Sequence, residues 1–113
     1  MSISFGGYNY NSLTFNVNEK IDIGYPVSIY KSFTMKKADD GSAFQGVVVS
    51  SDEKYASVQV NGTVTMSYTG AAPSTGYNSL VSNGAGGIKV SSAGRQYLVI
   101  GTDETNKTVT FLM

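Results

Sequence analysis

The sequence predicts an all-β fold: a small single-domain β-barrel, or barrel-like sandwich, of about eight or nine short strands. Three observations carry this. Val, Thr, Tyr, Phe and Ile are frequent and are punctuated every few residues by Gly and Asn. β-branched and aromatic residues in short runs between turn formers read as strands. No segment keeps the 3.6-residue apolar period of a helix. Proline, which interrupts sheet ladders, occurs only at Pro26 and Pro73.

Taken in order, the chain opens with a polar, aromatic stretch around Phe5-Gly6-Gly7-Tyr8-Asn9-Tyr10-Asn11. Residues 1–20 are expected to form an N-terminal arm or edge strand, and residues 21–113 the barrel. Strands are expected at Tyr25–Tyr30, Phe33–Met35, Phe44–Ser50, Tyr55–Val60 and Thr63–Tyr68, then at Ser79–Ser82, Gly87–Val90, Tyr97–Ile100 and Thr108–Leu112. Between them lie breaks rich in Asp, Gly, Ser and Asn, such as Ala38-Asp39-Asp40-Gly41-Ser42 and Asp103–Lys107. These residues favour turns because their side chains bond nearby backbone or tolerate positive φ.

Asn61-Gly62 suggests a hairpin between the fourth and fifth of these strands. A two-residue turn would put Val58 and Val64 on opposite faces. A three-residue loop, Val60-Asn61-Gly62, pairs Gln59 with Thr63, sets Val58 beside Val64 and Ala56 beside Met66, and gives Gly62 the left-handed position. A one-residue slip reverses every side chain, so the three-residue loop is the expected register.

The chain has 113 residues, 41% of them hydrophobic and 14% charged, which suits one domain with an ordinary core. Eight acidic and eight basic side chains cancel. A nucleic-acid surface needs surplus cations, so no nucleic-acid partner is expected. No apolar run approaches the roughly 20 residues of a membrane helix, and no membrane partner is expected. Met1–Tyr10 has neither a basic start nor an apolar stretch, so it does not read as a signal peptide.

There is no histidine and no cysteine. The commonest general base, the commonest metal ligand and all thiolate chemistry are therefore missing. A Ser–Lys arrangement near Lys31-Ser32 or Lys54 has no supporting local pattern and reads as solvated surface. The acidic pairs Asp39-Asp40, Asp52-Glu53 and Asp103-Glu104 sit at turns rather than facing each other across a cleft. Asp39-Asp40-Gly41-Ser42 lacks the alternating ligands of a calcium loop. Asn83-Gly84-Ala85-Gly86-Gly87 has neither the Lys-Ser/Thr nor the following helix of a phosphate loop, and reads as a hairpin tip. No catalytic residue, cofactor or metal is expected.

Eight tyrosines remain as a compositional signal: Tyr8, Tyr10, Tyr25, Tyr30, Tyr55, Tyr68, Tyr77 and Tyr97. Such rings anchor protein interfaces, stack on sugars or fill strand faces. Asn61-Gly62-Thr63 and Asn106-Lys107-Thr108 match glycosylation sequons at expected turns.

Over residues 24–113 an ordered series of turns and apolar triplets stands out. It runs through Gly24-Tyr25-Pro26-Val27, Phe44-Gln45-Gly46-Val47-Val48-Val49, Val58-Gln59-Val60-Asn61-Gly62-Thr63-Val64-Thr65 and Tyr68-Thr69-Gly70. It continues through Pro73, Gly76-Tyr77, Leu80-Val81, Gly84-Ala85-Gly86-Gly87-Ile88-Lys89-Val90 and Gly94-Arg95. This series resembles the small β-barrel capsid decoration proteins of tailed bacteriophages and prophages, including a family known only as a domain of unknown function. The resemblance implies a structural protein on the outside of the virion head, made in the bacterial cytoplasm and bound to the major capsid protein. It also implies a homo-oligomer, with a trimer favoured. An N-terminal arm in such proteins can add a strand to a capsid sheet, and Ile3-Ser4-Phe5 and Leu13-Thr14-Phe15-Asn16-Val17 alternate in a way suited to that. An ordinary first barrel strand explains the same pattern. The expected partner-binding residues are Phe5, Tyr8, Tyr10, Leu13, Phe15, Tyr68 and Tyr77. The alternative is a carbohydrate-binding or adhesion module that uses exposed tyrosines.

Overall fold

The computed structural model describes residues 12–113. Among these the fold is all-β, with ten strands in two sheets. They are β1 (Ser12–Asn16), β2 (Pro26–Lys31), β3 (Thr34–Lys37), β4 (Gly46–Ser51), β5 (Tyr55–Gln59), β6 (Thr63–Ser67), β7 (Gly76–Ser82), β8 (Ile88–Val90), β9 (Arg95–Asp103) and β10 (Thr108–Leu112). The first five close into a small barrel in the order β1-β3-β2-β4-β5, and the second five form a sheet in the order β6-β10-β9-β7-β8.

The barrel closes at β1. This strand runs antiparallel to β5 along its whole length, from Ser12 opposite Gln59 to Asn16 opposite Tyr55. Its contact with β3 is a single parallel pair, Asn16 with Thr34, made by Asn16 N–H donating to Phe33 C=O at 2.8 Å. Ser12–Asn16 is thus a barrel strand. Ile3-Ser4-Phe5 lies outside the described residues.

Alternation along the strands fills two cores. Val17, Ile21, Val27, Met35, Val48, Ala56 and Val58 pack inside the barrel, with Phe15, Tyr25 and Val60 against them. Val64, Met66, Tyr68, Leu80, Ile88, Tyr97, Val99, Val109 and Phe111 line the inner face of the second sheet. A bridge between Tyr68 and Ile88 draws that sheet's two edges together.

The hairpin expected at Asn61-Gly62 does not form. β5 is paired on one side with β4 and on the other with β1, so it has no edge left for β6. β6 pairs instead with β10, placing Val64 opposite Phe111 and Met66 opposite Val109. The inward faces of both strands are those expected, but Val58 and Val64 enter different cores. Gly62 does take positive φ, 94°, at the corner where the chain leaves the barrel. The buried Gln59 amide spans that corner, donating to Asn61 C=O and Thr63 C=O, each at 3.0 Å.

The segment between β3 and β4 joins the halves. Ala38 and Phe44 from this segment, with Val47 from the start of β4, pack in the second core rather than the barrel's own. The Phe44 ring stacks on Tyr97 at 5.1 Å between centroids, with an interplanar angle of 14°, and meets Phe111 edge-on at 6.2 Å. Tyr97 O–H donates to Phe44 C=O at 2.8 Å. Burial pushes the Tyr97 phenol above its ordinary pKa, partly offset by the Arg95 guanidinium. Backbone bonds reinforce the junction: Gly41 N–H donates to Ser82 C=O at 2.8 Å, and Ser82 N–H to Ser42 C=O at 2.9 Å.

Replacing Tyr97 by Phe keeps the ring contacts and removes the only side-chain bond to the Phe44 carbonyl found among the described residues. Urea unfolding of Tyr97→Phe should show a loss of about 1–2 kcal/mol with an unchanged m-value.

Candidate interaction surface

The outer face of the second sheet is built by cross-strand registers. Thr63 lies opposite Leu112, Leu112 opposite Leu98, and Leu98 opposite Tyr77, giving one continuous row across β6, β10, β9 and β7. In the next row Thr65 faces Thr110, their hydroxyls 2.8 Å apart, and Thr110 faces Gly101. Because Phe111 pairs with Val99 and Thr110 with Gly101, Ile100 is the extra residue of a β-bulge. Tyr77 is 70% exposed, Ile100 and Leu112 are exposed and Leu98 is half-buried. Strands β6, β7 and β10 contain no Asp, Glu, Lys or Arg, and the charges of β9 stand at its ends, Arg95 and Asp103. A continuous apolar and hydroxyl face, free of charge at its centre, is the composition of an interface core.

A second feature lies on the barrel. Tyr55 is half-exposed between two open hollows. One, of about 410 Å³, is lined by Lys20, Ser51, Asp52, Glu53 and Lys54. The other, of about 270 Å³, is lined by Thr14, Ser50, Ser51, Asp52 and Ser57. Asp52 builds the turn beneath the ring: its Oδ1 accepts from Lys54 N–H and Tyr55 N–H, both at 2.8 Å. These bonds hold its carboxyl below the usual carboxylate range. Asp103 is held down in the same way by the Asn106 and Thr105 N–H groups and the Asn106 amide. Both carboxylates act as turn caps. Among the described residues no three His, Cys, Asp or Glu side chains gather as a metal site, and no helix is long and apolar enough to cross a membrane.

Of the seven residues expected to bind a partner, Phe5, Tyr8 and Tyr10 lie outside the described residues. Leu13 is exposed on β1, opposite Val58, and Phe15 packs against the barrel core. Tyr77 is on the sheet face. Tyr68 is corrected: it is 3% exposed and belongs to the second core. It follows β6 directly, continues the inward face set by Val64 and Met66, and packs in the same core as Ile88, to which it is bridged. Leu13 and Phe15 belong to the barrel and Tyr77 to the other sheet, so the structure does not gather them into one site. Leu98, Ile100 and Leu112 were not among the expected residues. The alternation in Gln96-Tyr97-Leu98-Val99 and Thr108–Leu112 separates two faces, but does not say which one another layer covers.

A scan of protein-family models gives no match to this chain, and neither does a search of curated proteins.

The Tyr68 hydroxyl is buried without a hydrogen-bond partner among the described residues. Since an unsatisfied buried hydroxyl is destabilising, Tyr68→Phe should unfold at higher urea, by about 1 kcal/mol. Acid should act on the turn caps. A carboxyl whose folded pKa is depressed stabilises fully above its unfolded value, near 3.8, and the benefit fades as pH falls through the lower folded value. Thermal melts should therefore hold steady down to about pH 5 and decline below about pH 4, less steeply in an Asp52→Asn/Asp103→Asn double variant.

Proposed function

We propose that this chain is a non-enzymatic structural protein that decorates the outer surface of a tailed-bacteriophage head and stabilises it by adhesion to the major capsid protein. The observation that carries the reading is the outer face of β6, β10, β9 and β7, free of charge at its centre, with Tyr77, Leu98 and Leu112 in one row. A hydrophobic centre with a polar rim supports docking on a protein. The resemblance of residues 24–113 to capsid decoration proteins narrows that protein to a phage head. Assembly as a ring, a trimer by the same resemblance, would multiply modest contacts by avidity. Neither cofactor nor catalytic group enters this mechanism.

Purified chain mixed with intact expanded heads should co-sediment with them. Leu98→Lys or Leu112→Lys sets a charge in the centre of the row and should weaken binding about 30-fold or more, leaving the melting temperature within about 2 °C of wild type. Failure of the wild-type chain to bind intact heads refutes the reading.

One observation favours a second reading, a carbohydrate-binding module. Tyr55 stands between two open hollows lined by hydroxyl and carboxylate groups, an arrangement suited to stacking a sugar ring. A glycan array separates the two, since sugar binding lost in Tyr55→Ala but kept in Leu98→Lys supports this one.

A further inference from the structure

Phe33 is placed where the isolated chain gains little from a phenylalanine. It sits in the β2–β3 turn with φ 55°, a left-handed conformation that bulky residues seldom adopt. The conformation belongs to a two-residue turn, Ser32-Phe33, closed by the pairing of Lys31 with Thr34; the Phe33 carbonyl accepts from Asn16 N–H, and Thr34 Oγ1 donates to Ser32 C=O in the same turn. Gly or Asn would serve that backbone with less strain. Burial compensates little: the ring is 73% exposed and stacks on no other aromatic ring among the described residues. Lys107 is the other positive-φ residue besides glycine, with φ 56°. Its side chain is accounted for, since it lies over the Tyr68 ring at 5.9 Å.

The surroundings of Phe33 indicate what covers it. All five residues from Ile29 to Phe33 are exposed, and Ile29, Tyr30 and Phe33 are apolar or aromatic. No acidic residue occurs from Ile23 to Ala38, whereas Lys31, Lys36 and Lys37 do. Lys36 and Lys37 are matched by Asp39 at 3.5 Å and Glu19 at 3.9 Å. Lys31 has no ion-pair partner among the described residues and rests 5.6 Å from the Tyr30 ring centroid.

We infer that the β2–β3 hairpin tip is a docking knob, in which Phe33 enters an apolar pocket of a protein partner and Lys31 meets a carboxylate on its rim. Strain held at a residue exposed in the free chain and buried in a complex is a known arrangement at binding clamps. The role of Phe33 does not depend on the capsid reading, but the identity of the partner rests on it.

Three variants of the full chain test the knob: Phe33→Gly, Phe33→Asn and Lys31→Glu. Phe33→Gly and Phe33→Asn should melt higher than wild type, by about 4 °C for Gly. Both should bind intact expanded heads at least about 30-fold more weakly. Lys31→Glu should weaken binding about 10-fold, and the wild-type affinity should fall with salt. A lower melting temperature in both Phe33 variants shows that the ring stabilises its own chain and overturns the inference, whether or not heads bind. Unchanged head binding by Phe33→Gly also overturns it, and unchanged binding by Lys31→Glu overturns the acidic rim. Heads that bind no wild-type chain overturn the capsid reading and the partner's identity with it, and higher-melting Phe33 variants then uphold the strain at Phe33 alone.

Discussion

The contact of Phe44 with Tyr97 and Phe111 is what makes one structure out of two sheets. Phe44 comes from the barrel half of the chain, yet its ring is sheltered by residues of the other half, within 5.1 and 6.2 Å of their centroids. Tyr97 and Phe111 also meet each other at 5.2 Å, so three aromatic rings form a closed cluster. Aromatic rings combine large apolar burial with preferred pair geometries, which suits them to a junction between layers. The Tyr97 hydroxyl bonded to the Phe44 carbonyl adds direction to a contact that is otherwise shape and area.

This junction explains why the row Leu112-Leu98-Tyr77 stays on the outer side of its sheet among the described residues. The hydrophobic demand of both sheets is met inward, by a closed barrel on one side and by a curled sheet around Phe44 on the other. An apolar row left on the outside, Leu112-Leu98-Tyr77, therefore has no use in the core of this chain. Thr63, Thr65 and Thr110 beside it add hydroxyls to the centre of the face without adding charge there.

Much of the fold was legible in the sequence because it is local. Turn residues such as Asp52 and Gly62 and the alternation of Ala56, Val58, Val64 and Met66 mark strands, breaks and inward faces where they are found. Pairing was not legible, because it is decided at a distance. Gly62 adopts positive φ in a hairpin and at an intersheet corner alike, and only the occupation of both β5 edges by β1 and β4 distinguishes them. Tyr77 is exposed, as a surface residue must be, and Tyr68 is not, although both are tyrosines near turns. Tyr68 is enclosed by Ile88, twenty residues further along, a contact that composition does not carry. Phe33 looked like the start of a strand, but the pairing of Lys31 with Thr34 places it in the β2–β3 turn, exposed and at positive φ.

The two sheets also divide the chain by position: residues 12–59 supply the barrel strands and residues 63–112 the second sheet. Synthesis from the N-terminus therefore delivers every described barrel strand before β6 emerges. Phe44 leaves the ribosome long before Tyr97 and Phe111, so a nascent barrel carries a bare aromatic ring on the segment that leads into β4. During that interval the growing chain presents to chaperones, or to neighbouring nascent chains, the same ring that later locks its halves together.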